Sequence, residues 1–304
     1  AVLCGPPVFY IVYAPGMSHA TSAFFVAATL LAWTRWRSDP GGRAALVWAA
    51  VAGVCAGFAV SVRTTNVVLA LPLAEPMLTA LLRYRRENAP IRPRLVQSAL
   101  MVSGGLAGVA PLLLAWRILY GSWFANPLQY RMAGLPVHFF EVLFARLHGL
   151  FFWAPLYLVA AAGMVVLVRR HRALLPVVLT VPALAVVYGY WYQWWLGASF
   201  GMRGFVDLMP VFALGFGAVF AALARWRPAR GRVIAWELVL CFALLNFHLA
   251  TAFRGGAVFV DGPLYWLDTI SHSETYKMRL WRDRMAYTDF SEGARHPLIR
   301  PDYK

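Results

Sequence analysis

The sequence predicts an all-α fold, a polytopic transmembrane helix bundle with an interfacial helix on the trans side. Of its 304 residues, 61% are hydrophobic and 13% are charged, and the mean hydropathy is +0.60, whereas a soluble domain carries about 25% charged residues. Apolar runs long enough to cross a bilayer, which takes about 20 residues, follow one another along the chain. Short arginine-rich loops separate them. We therefore expect about eight or nine spans.

The first apolar run, 1–13, is short for a span, and it has neither an initiator Met nor the basic flank of a signal peptide. We expect a truncated first span and a missing N-terminal part. The transmembrane domain is predicted to cover 1–252, with 117–148 as a trans-side segment, and 253–304 to form a polar trans-side tail. The other candidate spans are 19–34, 44–61, 66–82, 95–116, 149–168, 173–190, 208–224 and 233–252.

The arginines predict the orientation. Loops 34–43, 83–94, 169–172 and 225–232 alternate along the chain and together hold fifteen arginines. The loops on the other side hold five: Arg63, Arg117, Arg131, Arg146 and Arg203. Positive loops stay in the cytoplasm, so we expect a multi-pass protein of the bacterial inner membrane with its arginine-rich loops inside. The same loops account for the net charge of +15, and no compact basic domain points to nucleic acid.

Segment 136–152, PVHFFEVLFARLHGLFF, predicts the interfacial helix. His138, Glu141 and His148 recur at helical spacing on one face, and aromatic and leucine side chains recur on the other. This pattern is typical of a helix that lies flat in the membrane interface. The two histidines lack the i, i+4 spacing that places two imidazoles on one ion, so we predict no metal site.

One trans-side stretch, YQWWLGASFGMRGFVDLMP at 192–210, interrupts apolar sequence with Arg203 and Asp207. Charge at the membrane boundary is costly and usually functional, and an arginine fork pairs bidentately with phosphate. The alternative is a structural ion pair between Arg203 and Asp207, four residues apart at a helix start. Small residues beside Arg203 leave room for a headgroup, and neighbouring tryptophans can line a lipid or sugar. We expect a phosphate site with these members: Arg203, Arg63, Ser199, Gly201, Trp194, Trp195 and Asp207.

Four stretches carry a family resemblance. AGVCAGFAVSVRTTNVVLALPL (52–73) resembles the glycine-rich helix, arginine and threonine segment of bacterial protein-mannosyltransferase-like proteins, which belong to the C-type (GT-C) glycosyltransferase superfamily. YAPGMSHATSAFF (13–25) is similar to the helix start before it. HGLFFWAPLYLVAAAGMVVLVRRHR (148–172) and WWLGASFGMRGFVDLMPVFALGFG (194–217) are similar to two later segments. The matches occur in family order over roughly 10–220.

The resemblance implies a bundle that transfers a sugar from a polyprenyl-phosphate carrier to an acceptor on the periplasmic or extracellular face. The lipid-linked sugar is then the donor substrate, no cofactor is expected, and a divalent metal requirement stays open. The family's catalytic acid lies in the first trans-side loop, but YAPGMSHA (13–20) contains no Asp or Glu. The catalytic residue is therefore unassigned.

Two other functions stay open. One is a non-catalytic subunit of GT-C descent that packs against membrane partners. The other is a transporter of lipid-linked sugar, which would be built from internal repeats with a site at the midplane. The sequence shows no such repeat, and its charged candidates lie at one face.

Overall fold

The computed structural model describes residues 6–38, 41–125, 132, 135–254, 258 and 262–266. Within these ranges the regular secondary structure is helical, apart from one isolated bridge between Met132 and Trp191. Three 3-10 turns (Thr64–Leu69, Arg172–Leu174 and Arg203–Leu208) lead into longer helices. The α-helices are α1 (Pro7–Val12), α2 (His19–Ser38), α3 (Arg43–Val62), α4 (Ala70–Glu87), α5 (Arg92–Tyr120), α6 (Phe139–Phe144), α7 (Leu150–Trp153), α8 (Leu156–Arg170), α9 (Leu175–Val178), α10 (Thr180–Gly189), α11 (Met209–Trp226) and α12 (Pro228–Arg254).

Six helical segments of the described chain are long and apolar enough to cross a membrane. Three are α3, α5 and α12. The others combine a 3-10 turn with the helix or helices after it: Thr64–Glu87, Arg172–Gly189, which contains both α9 and α10, and Arg203–Trp226. The chain is therefore a multi-pass membrane protein, as its composition predicted.

Among the described residues, fewer segments meet this measure than the roughly eight or nine spans expected. Helix α1 has only six residues. The predicted span 149–168 is split, because Ala154 precedes Pro155 and leaves the helical conformation (φ −131°, ψ 72°), as residues before proline tend to do. This leaves 15 residues for α8. Helix α2 has 20 residues but carries polar residues in its first turn and Arg35 and Arg37 in its last.

The arginine-rich loops belong to one end of the bundle. Helices α2, α4, α8 and α11 each carry arginine in their last turn, where a cation is favoured by the helix dipole. Arg37 at the end of α2 pairs with Glu75 of α4. Trp36 donates to Gln97 in the second turn of α5 at 2.8 Å. We call this the arginine-rich end, and the other the opposite end.

The sidedness of these two ends can be measured by thiol labelling. Ala198 at the opposite end and Ala229 at the arginine-rich end are both exposed. In a variant lacking Cys4, Cys55 and Cys241, Ala198→Cys should react with a membrane-impermeant maleimide on intact cells. Ala229→Cys should react only after permeabilisation. The reverse pattern would place the arginine-rich end outside and would contradict the predicted orientation.

Glycines bring α3 and α5 into backbone contact. A Cβ on Gly53 would lie 1.9 Å from the Met101 carbonyl oxygen, and one on Gly108 would lie 2.5 Å from the Val54 carbonyl oxygen. Small residues at crossing points let transmembrane helices approach this closely. Helices α8 and α11 also pack closely through glycine, since a Cβ on Gly163 would lie 2.0 Å from the Gly215 carbonyl oxygen.

Gly53→Ala should therefore separate α3 from α5 and lower the free energy of unfolding by about 1–3 kcal/mol, the usual cost of overpacking. Gly105→Ala is the matched control, because a Cβ there meets only the Gly53 carbonyl oxygen at 3.7 Å, an ordinary contact. The measurement is unfolding of the purified chain in mixed micelles. If the two substitutions lowered the free energy of unfolding equally, the close contact at Gly53 would not be what stabilises the packing of α3 against α5.

The predicted interfacial helix over 136–152 is wrong as one continuous helix. The structure places the six-residue α6 and the four-residue α7 there, joined by a loop. Ala145 is extended (ψ 151°), and His148 has a positive φ of 59°, which a non-glycine residue rarely adopts. His148 is consequently buried and does not share an exposed polar face with His138 and Glu141.

The described part of the predicted tail packs against this broken segment. Leu264 is buried and donates its N–H to the Arg146 carbonyl at 3.1 Å. Trp266 donates its indole N–H to the Phe152 carbonyl at 2.9 Å. Of the predicted tail 253–304, residues 255–257, 259–261 and 267–304 lie outside the described residues, as does Arg131.

Candidate functional site

Polar and charged side chains converge at the opposite end of the bundle, where four elements begin or end. His19 starts α2, Arg63 follows the last residue of α3, Tyr188 lies in the last turn of α10, and Asp207 lies in the 3-10 turn before α11. Each lies at or next to the end of a helical element, and the four side chains meet inside the bundle. We call these four residues the buried cluster.

Asp207 is the centre of the buried cluster, and its side chain is 0% exposed. Its Oδ2 lies 2.7 Å from Nε of Arg63, and its Oδ1 lies 3.2 Å from Nδ1 of His19. A buried carboxylate is tolerated only when it is paired and hydrogen-bonded. These two contacts engage both of its oxygens.

Arg63 is held from several sides. It has an extended backbone (φ −149°) between α3 and the 3-10 turn that begins at Thr64. Its Nη2 donates to the Tyr188 hydroxyl at 3.1 Å, and its Nη1 lies 3.3 Å from both ring nitrogens of His19. The arginine is therefore a positioned cation, with a side chain 18% exposed, that joins α3 to α10 and α11.

Tyr10 covers the cluster from α1. Its ring centroid lies 4.6 Å from that of His19. Its hydroxyl donates to the Phe200 carbonyl at 3.3 Å and accepts the Phe200 N–H at 2.9 Å. Burial raises the pKa of Tyr10 to about 12, against an opposing effect of the nearby Arg203 charge. The hydroxyl therefore stays protonated and serves as a fixed contact to the loop before Arg203.

Arg203 is partly exposed beside the buried cluster. Its Nη2 donates to the Leu196 carbonyl at 2.7 Å. Leu196 adopts a positive φ of 65° and Gly197 one of 68°, and this turn presents the carbonyl to the guanidinium. Within the described residues Arg203 has no carboxylate partner, because Asp207 pairs with Arg63. The alternative of an Arg203–Asp207 ion pair is therefore wrong.

The remaining predicted site residues pack inward. Ser199 is buried, donates to the Gly201 carbonyl at 3.1 Å, and has His148 Nδ1 3.3 Å from its hydroxyl. A Cβ on Gly201 would meet Pro6 and Trp153. Trp194 is buried in the main core, and Trp195 packs against the same core. The structure thus brings Arg63, Arg203 and Asp207 close together and uses the other four to build the loop beside them.

Sequence reasoning missed His19, Tyr10 and Tyr188 as members of this site. The available signals were a histidine at the first residue of an apolar helix and, for Tyr188, its place in a run of trans-side aromatic residues. The contacts themselves join residues 188 and 125 positions apart in the chain, as in His19–Asp207 and Arg63–Tyr188.

Comparison of the chain with family profiles, with curated proteins and with solved structures found no match. The site holds two guanidinium groups, those of Arg63 and Arg203, against the one carboxylate of Asp207, which is already engaged. Such an arrangement can bind an anion at Arg203, whereas both oxygens of Asp207 already contact Arg63 and His19.

Proposed function

We propose that this protein is a membrane glycosyltransferase that takes its sugar from a polyprenyl-phosphate carrier at the opposite end of the bundle. Arg203 holds the carrier phosphate. The observation that carries the proposal is that the guanidinium of Arg203 is partly exposed beside a buried ion pair. Among the described residues, its hydrogen-bond partner is the backbone carbonyl of Leu196.

The hydrogen-bond donors of the Arg203 guanidinium support a phosphate ligand. A guanidinium has five N–H donors in a fixed fork, and the Leu196 carbonyl engages one of its nitrogens. A cation at the membrane boundary is costly without a partner. A phosphate diester at the headgroup level supplies that partner and accepts two parallel hydrogen bonds.

The buried cluster supports Arg203 without competing with it. Arg63 neutralises Asp207 and fixes the turn from which Arg203 projects. The summed charge of Arg63, Asp207 and Arg203 is positive, which favours an anionic headgroup over a neutral one.

In the transfer step, the bond from the sugar to the carrier phosphate breaks, and the acceptor oxygen forms the new bond to the sugar. Arg203 stabilises the charge that develops on the leaving phosphate. A general base must take the acceptor proton. We do not assign this role to Asp207, because its two oxygens are engaged by Arg63 and His19.

The test uses the full chain in nanodiscs. Binding of undecaprenyl phosphate is compared with that of undecaprenol, and release of polyprenyl phosphate from polyprenyl-phosphate mannose and related donors is followed in the presence of membrane extract. The proposal expects preference for the phosphorylated carrier and release dependent on the protein. Equal binding of the alcohol and the phosphate would contradict the phosphate site.

One observation favours the non-catalytic subunit as the second candidate. Asp207 is fully buried and fully engaged, as a structural acid is. A subunit of this kind would bind undecaprenyl phosphate through Arg203 but release none from the donor. If the protein binds undecaprenyl phosphate but releases no polyprenyl phosphate from any of the sugar donors tested, the result favours the non-catalytic subunit over the enzyme.

A further inference from the structure

A cavity of about 350 Å³ lies at the arginine-rich end, far along the bundle from Arg203. It is bounded by the last turn of α2, the part of α4 from Glu75 to Arg83, the loop after α4 and the start of α5. Its volume falls within the range of small-molecule pockets, about 300–1,000 Å³. The lining residues are Arg37, Glu75, Pro76, Thr79, Ala80, Arg83, Ala89, Pro90 and Arg94.

The charges in this cavity do not cancel. Three arginines face one carboxylate, and Glu75 is already engaged by Arg37 and by the Thr79 hydroxyl at 3.1 Å. Within the described residues, neither Arg83 nor Arg94 pairs with an acid. Arg37, Arg83 and Arg94 share the lining of one cavity, so their like charges repel one another.

Arg94 is held in place rather than free to swing away. Its Nη1 donates to Gln97 Oε1 at 2.9 Å, and its guanidinium lies 5.7 Å from the centre of the Trp36 ring. Both Trp36 and Gln97 are buried, and they are hydrogen-bonded to each other. A fixed guanidinium loses little conformational freedom when it binds an anion.

The start of α5 adds to the positive field. The helix begins at Arg92, shortly after the lining residue Pro90, and its N-terminus has no side-chain hydrogen bond at the cap. The helix dipole at such a terminus favours an anion.

We propose that this cavity binds a phosphate group, carried either by an anionic lipid headgroup or by a soluble phosphate compound. The planar fork of arginine matches phosphate oxygens bidentately. The bound anion relieves the repulsion between Arg83 and Arg94. The proposal is independent of the function proposed for the opposite end.

The experiment compares two probes on the full chain. In the first arm, nanodiscs of phosphatidylcholine contain graded amounts of phosphatidylglycerol, and lipid retained by the protein is measured by native mass spectrometry. In the second arm, inorganic phosphate is titrated at constant ionic strength and the shift in melting temperature is measured. Retained lipid that phosphate displaces identifies a headgroup, and a phosphate response without lipid retention identifies a soluble compound.

The variants distinguish the cavity from general surface charge. Arg83→Gln/Arg94→Gln should weaken binding about tenfold to a hundredfold, as expected when charge-assisted hydrogen bonds are removed. Arg85→Gln/Arg86→Gln removes the same charge from exposed positions of α4 that do not line the cavity and should change the affinity less than about threefold.

A third variant is expected to strengthen phosphate binding, and misfolding cannot account for stronger binding. Glu75→Gln preserves shape but removes the carboxylate from the lining, and it should strengthen binding severalfold. Equal weakening by the two arginine pairs, no strengthening by Glu75→Gln, or no binding in either arm would overturn the proposal.

Discussion

Asp207→Asn is expected to lower the free energy of unfolding by about 3–5 kcal/mol, because it leaves a mostly buried guanidinium without its counter-charge. The Arg63 side chain is 18% exposed and its Nε lies 2.7 Å from Asp207 Oδ2. Asparagine keeps the shape of the side chain, so the decrease in stability measures charge rather than a cavity. The same substitution weakens the contact to His19, which ties the start of α2 to the turn before α11.

The measurement is unfolding of the purified chain in mixed micelles. Glu141→Gln is the control, because the ion pair of Glu141 with His138 spans 3.8 Å and the acid is 47% exposed. An exposed pair contributes about 0–1 kcal/mol. The double variant Arg63→Gln/Asp207→Asn should be more stable than the sum of the two single effects predicts, since it leaves no unpaired charge. A decrease in Asp207→Asn no larger than in Glu141→Gln would show that the buried cluster does not stabilise the fold.

The long helices of this bundle could be predicted because their signal is local. Apolar runs give α3, α5 and α12 directly, and the arginines mark the ends of α2, α4, α8 and α11. The interruption at Ala154 was also visible, because a proline follows it, but the apolar run continues through the break and concealed it. The break at 145–149 has no such marker: Gly149 lies at its edge, while the positive φ belongs to His148.

The pairing within the site could not be read correctly from spacing. Residues four apart share a face on an α-helix, and this suggested that Arg203 and Asp207 meet. The turn Arg203–Leu208 is instead a 3-10 helix, which has three residues per turn. Positions four apart then point about 120° away from each other. Arg203 is turned outward and Asp207 is directed to Arg63 and His19 of the neighbouring helices.

This geometry makes Arg203 the residue whose removal should affect carrier binding most. Arg203→Ala should weaken binding of undecaprenyl phosphate about ten- to a hundredfold, which corresponds to the about 1.5–3 kcal/mol of a hydrogen bond to a charged group. Arg203→Lys should recover only part of the affinity, because the ammonium lacks the planar fork. Stability should change little, since within the described fold the guanidinium of Arg203 donates to the Leu196 carbonyl and to no carboxylate.

Arg117→Ala is the matched control for this measurement. Arg117 lies at the same end of the bundle, is exposed, and also donates to a backbone carbonyl, that of Gly121. Removal of either arginine lowers the net charge by one, so a general attraction for the anionic lipid would weaken equally in both variants. Selective weakening in Arg203→Ala, with Arg117→Ala near the parent protein, assigns the phosphate to the fork of Arg203. Unchanged binding in Arg203→Ala would mean that its guanidinium only holds the Leu196 turn in place. That result would contradict the role proposed for Arg203 in sugar transfer.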